Sequence, residues 1–181
     1  MENQNYGKSD GYCFSTEANL SRLNSVLQGK EDDVTDAIKV GVHKHVGVTY
    51  QGRFIETPRN EAPTVTQIYC SALSCAYSGL SKESWEPFAR LVLNACYEAT
   101  LWAAVVNSLE SSELQTGYRH DVFLTLIGGG VFGNDLDWIV EAMVRAIKIV
   151  QGTEGVRMRI HICHHRSINA RVALAIDKGS F

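Results

Sequence analysis

The glycine loop of this chain, residues 128–133, combines residue types that can bind a phosphate group. Its members and the residue that follows it are Gly128, Gly129, Gly130, Val131, Phe132, Gly133 and Asn134. Glycine lets the backbone adopt positive φ angles and approach an anion closely, and successive N–H groups in a turn can point together at that anion. The loop therefore predicts a phosphate or diphosphate site, in which the aromatic ring of Phe132 can cover a sugar or a base.

Two known phosphate motifs and a ligand-free turn are the alternatives to this interpretation. No Lys-Ser or Lys-Thr pair follows the glycines, so the loop is not a P-loop, and its glycine spacing differs from the dinucleotide fingerprint of Rossmann proteins. A tight strand-to-helix turn without a ligand remains possible. The phenylalanine inside the loop favours phosphate binding over that turn.

The segments on both sides of the glycine loop predict the elements that hold it in place. Residues 121–127 form a short continuous apolar run, typical of a buried central strand. Residues 138–150 carry apolar side chains at three- and four-residue steps, which predicts a helix ending just before Gly152. Ligands of open α/β sheets bind beyond the carboxyl ends of strands, where this loop lies. The following helix would add free N–H groups and its positive dipole end.

The rest of the chain alternates predicted helices and strands, which indicates an α/β fold with helices on both sides of the sheet. Helices are predicted over 34–46, 84–106 and 167–176, the second of them capped by Ser84 with Pro87 in its first turn. Residues 64–76 are predicted to form a strand that continues into a loop, and residues 156–163 form another strand. Residues 47–63 are predicted to form a loop or hairpin. We expect a flexible segment over 1–12 and a single domain over 13–181.

Composition excludes some classes of function. The 181 residues are 45% hydrophobic and 20% charged, and the formal net charge of −3 disfavours a nucleic-acid surface. The five cysteines form no CxxC pair, which indicates reduced thiols in a cytoplasmic protein. Neither a signal peptide nor a run of transmembrane length is visible, so we expect no membrane insertion. Delivery into another cell as an effector is compatible with these features.

The glycine loop with the two residues before it resembles the second phosphate loop of the macrodomain family, which binds and often hydrolyses ADP-ribose. The family's L-x-x-C-Y-x-x-x-L-x-x-A helix has counterparts in Leu93, Cys96, Tyr97, Leu101 and Ala104. The resemblance implies a three-layer α/β/α fold with a mixed central sheet. It also implies that the loop clasps the diphosphate and that Phe132 lies beside the distal ribose.

Upstream segments resemble the same family more loosely. Residues 16–19 resemble its N-A-A-N segment, and this implies that Asn19 contacts the distal ribose, although Thr16 replaces the first asparagine. Residues 27–38 resemble the first substrate loop, in which Gly29 is the one glycine retained. The family's G-D-I strand, whose aspartate holds adenine, has no counterpart, so we expect a sheet that is shorter at the amino end.

Carboxylates are the candidate catalytic groups. The acidic run Glu31, Asp32 and Asp33 precedes a helix, and its simplest explanation is a solvated first turn. The resemblance places the run opposite the glycine loop, where a carboxylate can stabilise an oxocarbenium-like sugar, activate water or protonate a leaving group. We rank Asp32 and Asp33 first, Glu17 next and Asp135 last.

Histidines and cysteines give weaker signals. The cluster His161, Cys163, His164 and His165 has no second ligand pair, so a polar strand end is the better interpretation and no metal is predicted. Three further cysteines lie in apolar surroundings and are predicted to be buried thiols rather than nucleophiles: Cys70, Cys75 and Cys96.

These observations together predict an ADP-ribosyl hydrolase that needs no cofactor and removes mono-ADP-ribose from modified proteins. An acid-rich first loop suits a cationic guanidinium leaving group, so arginine-linked ADP-ribose is the first expected substrate, ahead of acidic and serine linkages. A reader that binds ADP-ribose without turnover is the second hypothesis. An interaction domain with a purely structural glycine turn is the third.

Overall fold

A computed structural model describes residues 8–9, 11–50, 53–54, 63–110 and 120–178, and in them the chain is mixed α/β. The helices are α1 Glu17–Leu27, α2 Glu31–Ala37, α3 Lys82–Glu110, α4 Leu136–Gln151 and α5 Ala170–Lys178. The strands are β1 Lys8–Ser9, β2 Tyr12–Cys13, β3 Gly41–Gly47, β4 Thr49–Tyr50, β5 Arg53–Phe54, β6 Thr64–Tyr69, β7 His120–Thr125 and β8 Met158–Cys163. A short 3-10 turn covers Cys75–Tyr77.

Helices α3 and α4 form most of the hydrophobic core. Along α3 the fully buried residues recur every four positions: Trp85, Ala89, Leu93, Tyr97 and Leu101. Along α4 the predicted apolar face is buried in full, and its residues are Trp138, Ile139, Ala142, Met143, Ala146, Ile147 and Val150. Gly152 caps the end of α4, as predicted. The helical periodicity of the sequence therefore identified the buried face of α4 correctly. On α3 it identified the helix but not the row of residues that is fully buried.

Strands β7 and β8 are parallel and are joined by α4, so the three elements form a βαβ unit. Val122 and Leu124 of β7 point into the core, and their Cα partners on β8 are Ile160 and Ile162. The opposite face is open, because Phe123 is 64% exposed. The prediction that this strand is buried on both faces is therefore wrong. A continuous apolar run does not distinguish a strand covered on both faces from one covered on one face.

Residues 41–47 correct the helix predicted over 34–46. Helix α2 ends at Ala37, and the chain continues as β3, which pairs antiparallel with β6. The two valines of β3, Val42 and Val46, have Ile68 and Val65 as their partners. Valine is β-branched and favours strands, and the cross-strand partners of the two valines lie 26 and 19 residues away in the chain. The long-range pairing with β6 therefore determines the structure of residues 41–47, and their local helical spacing does not.

Strand pairing in the described residues consists of four two-stranded ladders: β1–β2, β3–β6, β4–β5 and β7–β8. This differs from the expected single mixed sheet, although antiparallel and parallel pairs both occur. The β4–β5 hairpin lies within the predicted loop or hairpin over 47–63, and the β1–β2 hairpin begins within the segment expected to be flexible. Residues 1–7, 10, 51–52 and 55–62 of those two segments lie outside the described residues.

The long helix α3 begins earlier than predicted. The hydroxyl of Ser81 accepts a hydrogen bond from the N–H of Ser84 at 3.2 Å, so Ser81 rather than Ser84 is the capping side chain. Pro87 consequently lies in the second turn of the helix. Among the described residues, no helix has both the length and the apolar character that crossing a membrane requires.

Replacing Leu93 by alanine tests the packing of α3 against the rest of the core. Leu93 is 0% exposed, whereas Leu109 on the same helix is 67% exposed. We expect Leu93→Ala to lower the free energy of unfolding by about 3 kcal/mol because it leaves a cavity. Leu109→Ala is the matched control and should change it by less than about 0.5 kcal/mol. Urea titration measures both values, and equal effects would contradict this description of the core.

Candidate functional site

The two ends of the glycine loop need glycine for structural reasons. Gly128 and Gly133 have φ angles of +75° and +72°, in the region that side chains disfavour. A Cβ atom at residue 128 would lie 2.5 Å from the Cβ of Ala72, and one at residue 133 would lie 2.7 Å from the Cβ of Ala76. Both glycines are therefore fixed by close packing against the segment 72–76.

The fold does not require a glycine at position 130. Its φ lies outside the left-handed region, and a Cβ atom added there would meet no heavy atom within 4 Å. Gly130 and Val131 are exposed at the tip of the loop. The fold would accept alanine at this position, so the absence of a side chain leaves the backbone open to an approaching molecule.

Backbone hydrogen bonds close the loop but leave its tip free. The N–H of Gly133 donates to the carbonyl of Gly130 at 3.1 Å, and the N–H of Asn134 donates to the carbonyl of Gly128 at 3.1 Å. Three consecutive N–H groups, those of Gly130, Val131 and Phe132, donate to no acceptor in the described part of the chain. A row of unpaired amides in an exposed turn can bind an anion.

Tyr97 fixes the start of the glycine loop. Its hydroxyl donates to the carbonyl of Thr125 at 2.7 Å and accepts from the N–H of Ile127 at 3.0 Å. Burial raises the pKa of the Tyr97 phenol, so the hydroxyl stays protonated and can both donate and accept a hydrogen bond. The sequence identified the helix that carries Tyr97 but not this role, since no local pattern links the helix to the end of β7.

Asn134 supports the loop from within. It was predicted to contact the ligand, but it is only 5% exposed. Its side-chain amide donates to the carbonyl of Leu73 at 2.7 Å and to that of Gly128 at 3.4 Å. The Cys75 thiol donates to the side-chain oxygen of Asn134 at 3.9 Å. The structure therefore gives Asn134 the role of linking the glycine loop to the segment 72–76.

Three aromatic rings meet beside the tip of the glycine loop. The Phe132 ring centroid lies 6.1 Å from that of Tyr12 and 5.7 Å from that of Tyr77, and the two tyrosines are 5.1 Å apart. All three contacts are edge-to-face, and both tyrosines remain about two-fifths exposed. The sequence singled out Phe132 alone, because the rings come from three distant segments that only the fold brings together.

The acidic run on α2 lies in the first turn of that helix, as its simplest explanation predicted. Asp32 and Asp33 are exposed, and no hydrogen bond or ion pair links either carboxylate to another described residue. The N–H groups of Glu31 itself and of Gly29 hold the pKa of the Glu31 carboxyl below its usual value. Gly29 has a φ of +77° in the turn between α1 and α2. No described hydrogen bond joins this run to the glycine loop.

Glu17 and Asn19 belong to the start of α1. Thr16 caps this helix by accepting from the N–H of Asn19 at 3.3 Å. The Glu17 carboxylate accepts from the hydroxyl of Ser84 at 2.6 Å, at the edge of an open polar cavity of about 360 Å³ that α1 shares with the start of α3. Glu17 is therefore engaged with α3 rather than with the glycine loop.

Asp135 occupies the amino end of α4. Its carboxylate accepts from the N–H of Asp137 at 3.1 Å and pairs with Lys82 at 3.0 Å. The hydrogen bond, followed by the lysine, holds the pKa of the Asp135 carboxyl below its usual value. A negative charge thus already lies at the positive end of this helix dipole. The expectation that the helix end itself would help to bind a phosphate is therefore weakened, and the loop amides remain as donors.

The carboxyl end of β8 adjoins the glycine loop. Thr125 and Cys163 are Cα partners at the last register position of β7 and β8, so the segments that follow both strands leave the same edge. His164, His165 and Arg166 follow β8 directly, and Arg166 has a positive φ of +67°. Among the described residues, no three metal-binding side chains lie close enough to hold an ion. Of these residues, Arg166 adds a guanidinium group at the edge where an anion would bind.

Alanine at two positions of the glycine loop separates the structural glycines from the open one. Gly128→Ala should lower the free energy of unfolding by at least about 2 kcal/mol, because it combines a positive φ with a clash against Ala72. Gly130→Ala should change it by no more than about 0.5 kcal/mol. Chemical denaturation measures both variants. A large loss at Gly130 would show that the fold itself requires this glycine.

The comparisons with known proteins give no relative on which to base a function. Neither a family model, nor a curated protein, nor a solved structure gives a significant match to this chain. The geometry of the glycine loop and the groups around it therefore carries the functional argument.

Proposed function

We propose that this protein binds ADP-ribose at the glycine loop and removes it from ADP-ribosylated proteins, on a divergent fold of the macrodomain type. The observation that carries the proposal is the open tip of the loop, where the N–H groups of Gly130, Val131 and Phe132 have no acceptor among the described residues and Gly130 is a glycine that the fold does not need. Backbone amides bind a diphosphate without any net positive charge. This agrees with a chain whose formal net charge is −3.

The aromatic rings beside the loop support a sugar nucleotide rather than free phosphate. Phe132 belongs to the loop itself, and its ring contacts Tyr12 and Tyr77. A group attached to a phosphate at the loop tip would lie against these partly exposed rings. Aromatic faces pack well against the apolar faces of sugars and against planar bases. The arrangement fits a ribose attached to the diphosphate.

The finer assignment of the fold rests on the βαβ unit and the helix before it. In the proposed fold the glycine loop follows a parallel strand, as it follows β7 here. The helix positions that resemble the macrodomain pattern include Leu93, Tyr97 and Leu101, all fully buried in α3. Tyr97 connects that helix directly to the start of the loop. A three-layer arrangement with a mixed central sheet is the proposed complete form of this architecture.

Asp32 and Asp33 are the best candidates for catalysis because the other carboxylates are engaged. Glu17 is bound by Ser84, and Asp135 is bound by Lys82 and the N–H of Asp137. Asp32 and Asp33 are exposed and have no partner among the described residues. A free carboxylate at the anomeric carbon can stabilise the oxocarbenium-like transition state and activate water. We propose that the first turn of α2, which carries Asp32 and Asp33, approaches the glycine loop when substrate is bound.

A reader that binds ADP-ribose without hydrolysing it is the second candidate function. One observation favours it, namely that no described hydrogen bond or ion pair connects Asp32 or Asp33 to the glycine loop. If substrate does not draw the acidic run to the loop, binding would remain and turnover would not occur. The two candidates share one binding site and differ only in the fate of the glycosidic bond.

Thermal unfolding with ADP-ribose tests the binding step. A ligand that binds only the folded state stabilises it by RT ln(1 + [L]/Kd), so we expect Tm of the wild-type protein to rise with ADP-ribose concentration. Gly130→Glu should abolish that rise by placing a carboxylate among the loop amides. Leu109→Glu adds the same charge on the exposed end of α3 and should retain the rise. The absence of any shift in wild type would refute both the hydrolase and the reader.

Release of ADP-ribose from modified peptides tests the catalytic step. We expect turnover of an arginine-linked substrate, and a loss of at least about 100-fold in kcat for the Asp32→Asn, Asp33→Asn double variant, as is typical when a general acid or base is removed. The double variant should still bind ADP-ribose, because neither residue touches the loop. Peptides linked through glutamate, aspartate and serine define the acceptor. Binding without turnover on all four linkages would identify a reader.

A further inference from the structure

Two cysteines, Cys70 and Cys96, face each other behind the glycine loop. Cys70 follows β6, and its sulfur lies 4.0 Å from the hydroxyl of Thr100 on α3. Cys96 lies one turn earlier on the same helix, and its thiol donates to the carbonyl of Ser71, the residue next to Cys70, at 3.8 Å. The Thr100 hydroxyl in turn donates to the carbonyl of Cys96 at 2.7 Å. These contacts bring the two thiols close together, and each thiol affects the ionisation of the other.

The two thiols differ in how readily they ionise. The neighbouring Cys96 thiol lowers the pKa of the Cys70 thiol to about 7, with a smaller contribution from Thr100. The neighbouring Cys70 thiol and burial raise the pKa of the Cys96 thiol. Cys70 is half-buried, whereas Cys96 is buried. A partly accessible thiolate next to a protonated thiol is the arrangement in which one cysteine reacts first and the other resolves the product. Cys70 therefore differs from the inert buried thiol that the sequence predicted.

We propose that Cys70 and Cys96 form a reversible disulfide when the protein meets a hydroperoxide. The Cys70 thiolate attacks the peroxide oxygen, the O–O bond breaks, and the alkoxide or hydroxide leaves and takes up a proton. The Cys96 sulfur then attacks the Cys70 sulfenic acid, an S–S bond forms, and the hydroxyl group leaves as water with the proton of Cys96. Two thiols are oxidised and one peroxide is reduced, and a reducing thiol reverses the step.

The disulfide would act on the segment that supports the glycine loop. Residues 72–76 follow Cys70 directly and pack against Gly128 and Gly133. The carbonyl of Leu73 accepts from Asn134, and the N–H of Ala76 donates to the carbonyl of Phe132 at 3.0 Å. A covalent link from Cys70 to α3 would fix one end of this segment. Oxidation is thereby coupled to the rigidity of the candidate binding loop, although the disulfide itself does not depend on the proposed function.

Peptide mapping after treatment of the full chain with hydrogen peroxide tests the proposal. Free thiols are blocked by alkylation, and the digest is analysed without reduction. We expect a peptide pair joined through Cys70 and Cys96, with a loss of two hydrogens that dithiothreitol reverses. The initial rate should rise with pH to half its maximum near pH 7, since the Cys70 thiolate is the reactive form. A rate that rises only around the ordinary cysteine pKa of about 8.5 would overturn the assignment.

Cysteine variants distinguish the thiol that reacts with peroxide from the thiol that resolves the product, and they include a control for solvent exposure. Cys96→Ser, or Cys96→Ala if the serine variant is unstable, should leave a sulfenic acid on Cys70 that dimedone traps. Cys70→Ser should leave Cys96 reduced. Cys163→Ser is the matched control, because Cys163 is exposed and its removal should not change the Cys70–Cys96 pair. Oxidation of Cys163 with Cys70 still reduced, or linkage of Cys70 to a cysteine other than Cys96, would refute the proposal.

Discussion

The buried hydroxyl of Tyr97 is the contact on which the geometry of the candidate site depends. It binds the carbonyl of Thr125, the last residue of β7, and the N–H of Ile127, the residue just before the glycine loop. The same carbonyl and N–H also bond to each other at 3.0 Å, so the hydroxyl joins both groups of a backbone turn to the buried face of α3. Because Tyr97 lies in the fully buried row of α3, the packing of α3 against α4 sets the position at which the loop begins.

The opposite side of the loop is held by a second set of contacts, and together the two sets leave only the tip free. Asn134 binds the carbonyl of Leu73, and Ala72 and Ala76 leave no room for side chains at Gly128 and Gly133. The amides of residues 130–132 are therefore presented by a rigid support rather than by a mobile turn. Such preorganisation reduces the entropy lost when a ligand binds.

The sequence predicted best what depends on local periodicity and worst what depends on distant partners. The apolar face of α4 identifies this helix because the face must be buried. Residues 34–46 are predicted as one helix from the spacing of their apolar residues, and only the pairing of residues 41–47 with β6 shows that the later part is a strand. The cluster of Tyr12, Tyr77 and Phe132 and the pairing of Cys70 with Cys96 join segments far apart in the chain, so no spacing could reveal them.

Electrostatics distinguishes the loop amides from the helix end that follows them. Asp135 takes the N–H of Asp137 and balances the dipole of α4, and Lys82 neutralises its charge. In the proposed function, an anion at this edge of the fold would gain little from the helix and would depend on the amides of the loop tip. The carboxylates of Asp32 and Asp33, which have no partner among the described residues, would then be available to stabilise a positively charged transition state.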